Sequence, residues 1–182
     1  MHKLLLFSFL PALIFSSCKT PEARRPISVK TGSFIDVSVE RNKKLNAEEE
    51  ASIKKVMEQE NKDYIASESG FWYYYNTKVE TDSLKTPDFG DIVNFDYTVK
   101  TLKGSVIYSE EDIQARSYAM DKEELFTGLR EGLKLMKSGE TVTFLFPSQK
   151  AYGYYGDQNK IGTNIPLICK VTVHSITENQ SN

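Results

Sequence analysis

Residues 124–156, ELFTGLREGLKLMKSGETVTFLFPSQKAYGYYG, change character twice within 33 positions. Leu125, Leu129, Leu133 and Met136 recur at helical spacing, with Asp121 and Glu124 placed to cap the start and Ser138-Gly139 to stop the run. ETVTFLFP then has the β-branched and aromatic composition of a strand. The end, AYGYYG (151–156), fits neither element. Its two glycines break a helix or a strand, yet three tyrosines would be wasted on a free loop. The segment predicts a helix, a strand and a loop that needs both glycine freedom and aromatic surface.

Working outward, GDIVNFDYTVKTLKGSVIYS (90–109) alternates Ile92 and Asn94 with Val93, Phe95, Tyr97 and Val99, then turns at Lys103-Gly104 into a second strand. FWYYYNTKV (71–79) and PLICKVTVHSI (166–176) are strand-like as well. Several antiparallel strands with one short helix predict an α+β domain of about a hundred residues, enough for a single core. Upstream, Ser33 with Asp36 and Asn46 with Glu49 have the form of helix N-caps. They predict a mostly exposed helical extension with a break near Asn46. Its thin stripe of Ile53, Val56, Met57 and Tyr64 is expected to dock on the body of the same chain, and a dimer through this helix is the other option.

The chain opens MHKLLLFSFLPALIFSSC, a positive Lys3 followed by about twelve apolar residues and small Ser16-Ser17. This is the pattern of a secretion signal, and the run is shorter than the ~20 residues of a spanning helix. Cys18 after the small residues resembles a bacterial lipobox, with Phe15 where leucine is usual; the other reading is an ordinary cleavage site with an incidental cysteine. The resemblance implies acylation of Cys18 and a membrane tether. The expected organisation is signal peptide 1–17, acylated cysteine and tether 18–32, helical extension 33–66, main domain 67–177 and tail 178–182.

Loss of residues 1–17 leaves 22 basic residues of the 23 against 25 acidic ones, a net charge of −3. That balance gives no reason to expect a nucleic-acid partner. With only His2 and His174, and only Cys18 and Cys169, the sequence cannot build a His/Cys metal site or a disulfide framework. No cofactor or metal is expected. Nor is there a glycine-rich phosphate loop, a Ser/His/Asp set or a pair of carboxylates on one helix face. The remaining signal is aromatic: Tyr97, Tyr118, Phe126, Tyr152 and Tyr155 fall at strand ends, at the helix start or on the glycine loop.

Tyr97-Thr98, Gly104, Leu125-Phe126, Gly128, Gly132-Leu133, Met136, Gly139-Glu140 and Ala151-Tyr152-Gly153 follow one another in an order and spacing that resemble the core of the FKBP-type peptidyl-prolyl isomerases over residues 90–176. With the lipobox and GFWYYYNTK, the whole chain resembles the gliding-motility-associated lipoprotein isomerases of the Bacteroidetes. The resemblance implies an antiparallel sheet half-wrapped around one short helix. It also implies a catalytic pocket of Tyr97, Phe126, Leu129 and Tyr152, with Ile107, Tyr108, Tyr118, Leu125, Tyr155, Ile161 and Cys169 contacting substrate.

On this resemblance the chain is a periplasmic, lipid-anchored enzyme, with the outer membrane favoured because Lys19 weakly disfavours inner-membrane retention. Its partners would be X-Pro segments of exported proteins. The sequence departs from the family pattern at Ile107, Tyr108, Arg116, Leu129 and Cys169, each of which trims or polarises the pocket wall. Reduced turnover, or a peptide-binding module without turnover, are the two outcomes these departures leave open.

Overall fold

The structure, a computed structural model, describes residues 31–81 and 83–179. The expected signal peptide, Cys18 and nearly all of the 18–32 tether lie outside the described residues, as do positions 180–182 of the tail. Among the described residues, no helix is long and apolar enough to cross a membrane.

The chain begins with α1 (Thr31–Glu60) and continues through β1 (Ile65–Ala66), β2 (Trp72–Thr77), β3 (Ile92–Thr101), β4 (Val106–Tyr108), α2 (Glu110–Ile113) and β5 (Arg116–Ala119). It ends with α3 (Thr127–Leu133), β6 (Thr141–Phe146) and β7 (Leu167–Thr177), the last two separated by 3-10 turns at Ser148–Lys150 and Gly153–Tyr155. All strand pairings are antiparallel, in the order β1-β2-β6-β7-β3-β4, with β5 also paired to β3. One edge of β3 therefore carries two short strands, β4 against Val99 and Lys100 and β5 against Ile92–Phe95, with α2 inserted between them.

The alternation in β3 puts Val93, Phe95, Tyr97 and Val99 into the core. Leu167, Cys169, Val171 and Val173 of β7 and Val142, Phe144 and Phe146 of β6 complete that face. The core closes under α3, whose buried face is Gly128, Leu129, Gly132 and Leu133. Glycine costs a helix about 1 kcal/mol relative to alanine. Here two are needed, because a Cβ on Gly128 would lie 2.6 Å from the Phe146 ring and one on Gly132 would lie 2.9 Å from the Phe144 ring.

The start of α3 differs from the sequence expectation. Asp121 does not cap it; that residue adopts φ +60, and its carboxylate takes Lys134 Nζ at 2.6 Å and Arg130 Nε at 3.5 Å. The helix begins only at Thr127, where close packing on β6 begins, and Phe126 occupies the N-cap without a side-chain cap bond. After α3, Gly139 turns at φ +87 and the buried Glu140 accepts the amides of Lys137 (2.8 Å) and Val79 (3.1 Å). One carboxylate thus ties the helix end to the segment after β2.

The other side of the sheet is covered by α1. The helix runs unbroken through Asn46, contrary to the break expected there. Asn46 Nδ2 reaches Gln149 Oε1 at 3.4 Å across the molecule instead of capping. The overriding force is burial: Ile53 is fully enclosed with Leu145 and Ile168, flanked by Val56, Met57, Tyr64, Trp72 and Leu102. Enclosing one isoleucine side chain stabilises by roughly 1.5–3 kcal/mol, more than the few tenths by which asparagine disfavours a helix interior. The stripe thus docks within the same chain, and the outward side chains of β6 and β7 become a second, smaller core.

Candidate functional site

Four elements meet at one end of the half-wrapped sheet. β3 brings Tyr97, β5 brings Arg116 and Tyr118, the entry to α3 brings Leu125 and Phe126, and the chain leaving the first 3-10 turn brings Tyr152. Between β5, the α3 entry and Tyr152 lies an open cleft of about 530 Å³. Its apolar walls are Leu125, Phe126 and Tyr152; Arg116, Arg130, Glu123 and Glu124 line the rest.

The Phe126 and Tyr152 rings touch across this cleft, with centroids 5.1 Å apart, and Phe126 also packs edge-on against Phe146 at 5.5 Å. Tyr97, Leu129, Ile161 and Cys169 belong to the buried cluster on which these rings pack. They form a floor, not an exposed lining. Burial pushes the Tyr152 hydroxyl above its ordinary range, with the nearby Tyr97, Cys169, Asp157 and Tyr108 adding in the same direction. It stays a neutral hydrogen-bond donor through the physiological range. Burial also raises Tyr97, opposed by the Arg116 guanidinium beside its hydroxyl, and burial pushes up the Cys169 thiol. Cys169 is a buried floor residue, not a nucleophile.

Not all the residues implied for substrate contact sit on the open surface. Tyr118 is fully buried and donates its hydroxyl to the Glu123 carbonyl at 3.1 Å, fastening the segment that leads into α3. Ile107 packs half-buried against the core from β4. Tyr155 stands apart from this cleft. It is 79 % exposed, meets Tyr154 edge-on at 5.5 Å, and faces a groove shared with Arg41, Lys44 and Leu45 of α1. Gly153 and Gly156, at φ +58 and +66, turn the chain so that Tyr152 points to the core while the next two tyrosines face outward.

Tyr108 resolves one of the departures. Its hydroxyl donates to Asp157 Oδ2 at 2.5 Å, and the Lys160 ammonium sits 4.7 Å over its ring. Asp157 Oδ1 in turn accepts the amides of Asn159 (2.9 Å) and Ile161 (2.7 Å). Burial works against the Asp157 anion, but these hydrogen bonds outweigh it and hold the carboxyl below its ordinary range. The tyrosine that stands in β4 is therefore tied to a carboxylate on the loop that follows Gly156. Sequence inspection missed Asp157 because its partner Tyr108 is 49 residues away; the only local signal was an acidic residue directly after Gly156.

The fold and cleft define a class: a half-wrapped antiparallel sheet that offers an apolar, tyrosine-bearing pocket without a nucleophile. The family model for FKBP-type peptidyl-prolyl cis-trans isomerases matches residues 84–174, half of the chain, and the chain belongs to that family. A curated relative from Neisseria meningitidis serogroup B, described as a probable FKBP-type peptidyl-prolyl cis-trans isomerase FkpA, is 32 % identical over 92 residues. That match takes in 50 % of this chain and 34 % of the relative. A similarly described protein of Haemophilus influenzae is 29 % identical over 112 residues, 62 % of this chain and 45 % of its own.

The chain thus spans less than half the length of either curated relative. Among solved structures, FkpA from Escherichia coli superposes with a TM-score of 0.58 at 24 % identity, over 81 % of this chain and 70 % of that one. A peptidyl-prolyl cis-trans isomerase of Pseudomonas syringae pv. tomato superposes with a TM-score of 0.55 at 21 % identity, over 71 % and 96 %. Both likenesses bear on the fold.

Proposed function

We propose that this protein catalyses cis-trans isomerisation of X-Pro bonds in exported proteins while lipid-anchored through Cys18. The contact of the Phe126 and Tyr152 rings over a buried apolar floor, with the Tyr152 hydroxyl kept neutral by burial, carries this reading. An X-Pro amide is held planar by resonance against a barrier of ~18–20 kcal/mol. The planar form has the greater charge separation, so water stabilises it more than the twisted one. A prolyl segment on the Phe126–Tyr152 wall loses water from its carbonyl, while the Phe126 N–H and the Tyr152 hydroxyl hold the neighbouring chain. Such a site favours the twisted amide with no covalent step. X-Pro isomerisation takes tens of seconds and can limit folding, so acceleration has a use wherever exported chains fold.

The test is the isomerisation rate of a series of X-Pro peptides with the purified protein. Rates several-fold or more above background support the proposal; peptide binding with no acceleration makes the chain a recognition module. That second reading is favoured by the floor, since Leu129 and Cys169 are fully buried and offer less open wall than aromatic residues would.

The periplasmic placement rests on the leader sequence, and the favoured outer membrane on Lys19. Cys18→Ser should release the protein from the membrane fraction; unchanged sedimentation with outer membranes removes the anchor. A role in gliding motility rests on whole-chain resemblance alone, and a deletion strain that glides normally ends it. A dimer through α1 draws support from Phe34, Ile35, Val37 and Val39, all exposed on its first half. Sedimentation of the full chain in detergent should then give twice the monomer mass, falling to one when these four become serine. A monomer throughout excludes it.

A further inference from the structure

Glu49 is the one carboxylate of α1 that is buried, at 5 % exposure. Its Oε1 accepts the Ser148 hydroxyl at 2.6 Å and its Oε2 accepts the Ser148 amide at 2.8 Å. Both bonds go to a single residue four positions before Tyr152. The turn at Ser148–Lys150 starts from Pro147, which has no side chain able to cap it. Like any helical start, it leaves its first N–H without an internal partner. Glu49 supplies that cap from 99 residues away.

The fixed turn passes directly to the pocket. The Pro147 carbonyl accepts the amides of Lys150 (2.9 Å) and Ala151 (3.2 Å), and the Ser148 carbonyl accepts Ala151 at 3.0 Å. Tyr152 follows at once. The clamp is itself held firmly, because Ile53, one helical turn beyond Glu49, is fully enclosed against β6 and β7. That apolar contact seats α1 on the sheet. A carboxylate at this point does something further: it transfers the rigidity of the sheet and helix to the loop that carries a pocket tyrosine.

We propose that Glu49 of the N-terminal helix is a positioning residue for Tyr152, so that the extension is a working part of the prolyl site and not only its support. The catalytic consequence rests on the isomerase reading above; the structural consequence does not. The experiment therefore has two arms, both on the full chain. Amide hydrogen exchange at 148–152 reports the loop, and kcat and KM on an X-Pro peptide report the site. The variants are Glu49→Ala, Glu49→Gln, and Val173→Ala as a core control far from the loop.

Glu49→Ala should exchange roughly tenfold faster at residues 148–152, with β6 and β7 unchanged, as expected when a buried donor loses its partner. Its kcat/KM should fall about fivefold, mostly through KM, because a misplaced tyrosine weakens the hold on substrate. Glu49→Gln keeps one carbonyl acceptor and should fall between, which decides the matter if the alanine variant does not fold. Val173→Ala should lower stability without moving KM. Exchange at 148–152 that stays at the parent rate in Glu49→Ala and Glu49→Gln overturns the proposal. So does a KM that shifts only as it does in Val173→Ala. If the parent accelerates no peptide, the isomerase reading fails, and the exchange arm alone decides the role of Glu49.

Discussion

Phe126→Ala should cut kcat/KM on X-Pro peptides about ten- to thirtyfold while leaving the protein folded. The ring is half-buried and forms one wall of the cleft, in contact with Tyr152 on one side and Phe146 on the other. An aromatic side chain buries 150–250 Å² when fully enclosed. At ~25 cal/mol per Å², losing about 60–80 Å² of that against a bound prolyl segment costs roughly 1.5–2 kcal/mol, and each 1.4 kcal/mol is a factor of ten. The backbone should not suffer, since φ −62 and ψ 144 suit alanine as well as phenylalanine. Tyr152→Phe is the companion: it keeps the ring contact and removes only the hydroxyl, so its loss should be smaller. A folded Phe126→Ala protein with undiminished kcat/KM would place catalysis elsewhere.

Much of this architecture is legible because the informative patterns are local. The two-residue period of Val93, Phe95, Tyr97 and Val99 specifies which face of β3 is buried. The glycines of α3 and of AYGYYG mark close approach and turning at the places where the pocket is assembled. What escaped inspection has a common physical cause. Asn46 and Glu49 looked like a helix start because capping is a local signal, whereas the contacts that decide their roles, with Gln149 and Ser148, join positions about a hundred residues apart. Asp121 likewise resembled a cap and is instead an ion-pair partner of the last turn of α3. The strand β5, four residues with only Tyr118 fully buried, is too short for a period to declare itself. Tyr155 shared a composition with Tyr152 but not a direction, and a left-handed glycine between them is where the two diverge.

Gly128→Ala should lower the melting temperature by about 3 °C, against the expectation from helix propensity. Alanine is favoured over glycine in a helix by about 1 kcal/mol, so on an exposed surface the change would stabilise. At this position the new Cβ would stand 2.6 Å from Phe146 Cδ1 and 2.7 Å from the Lys150 carbonyl oxygen. Overpacking a well-filled core costs typically 1–3 kcal/mol, and a backbone carbonyl cannot rotate out of the way as a side chain can. The expected net loss is about 1 kcal/mol, worth several degrees in a domain of this size. Gly132→Ala is the informative contrast, because its nearest contacts are all atoms of the Phe144 ring, starting at 2.9 Å, and a ring can shift by a few tenths of an ångström. It should lower the melting temperature, but by less than Gly128→Ala does. The Lys150 carbonyl lies two residues before Tyr152, so Gly128→Ala should also push the tyrosine away from Phe126 and weaken peptide binding, measured as a rise in KM. A Gly128→Ala protein that melts at or above the parent temperature would mean that α3 can move away from the 148–150 turn. In that event the rigid seating of Tyr152, on which the roles given to Phe126 and Glu49 both depend, would have to be abandoned.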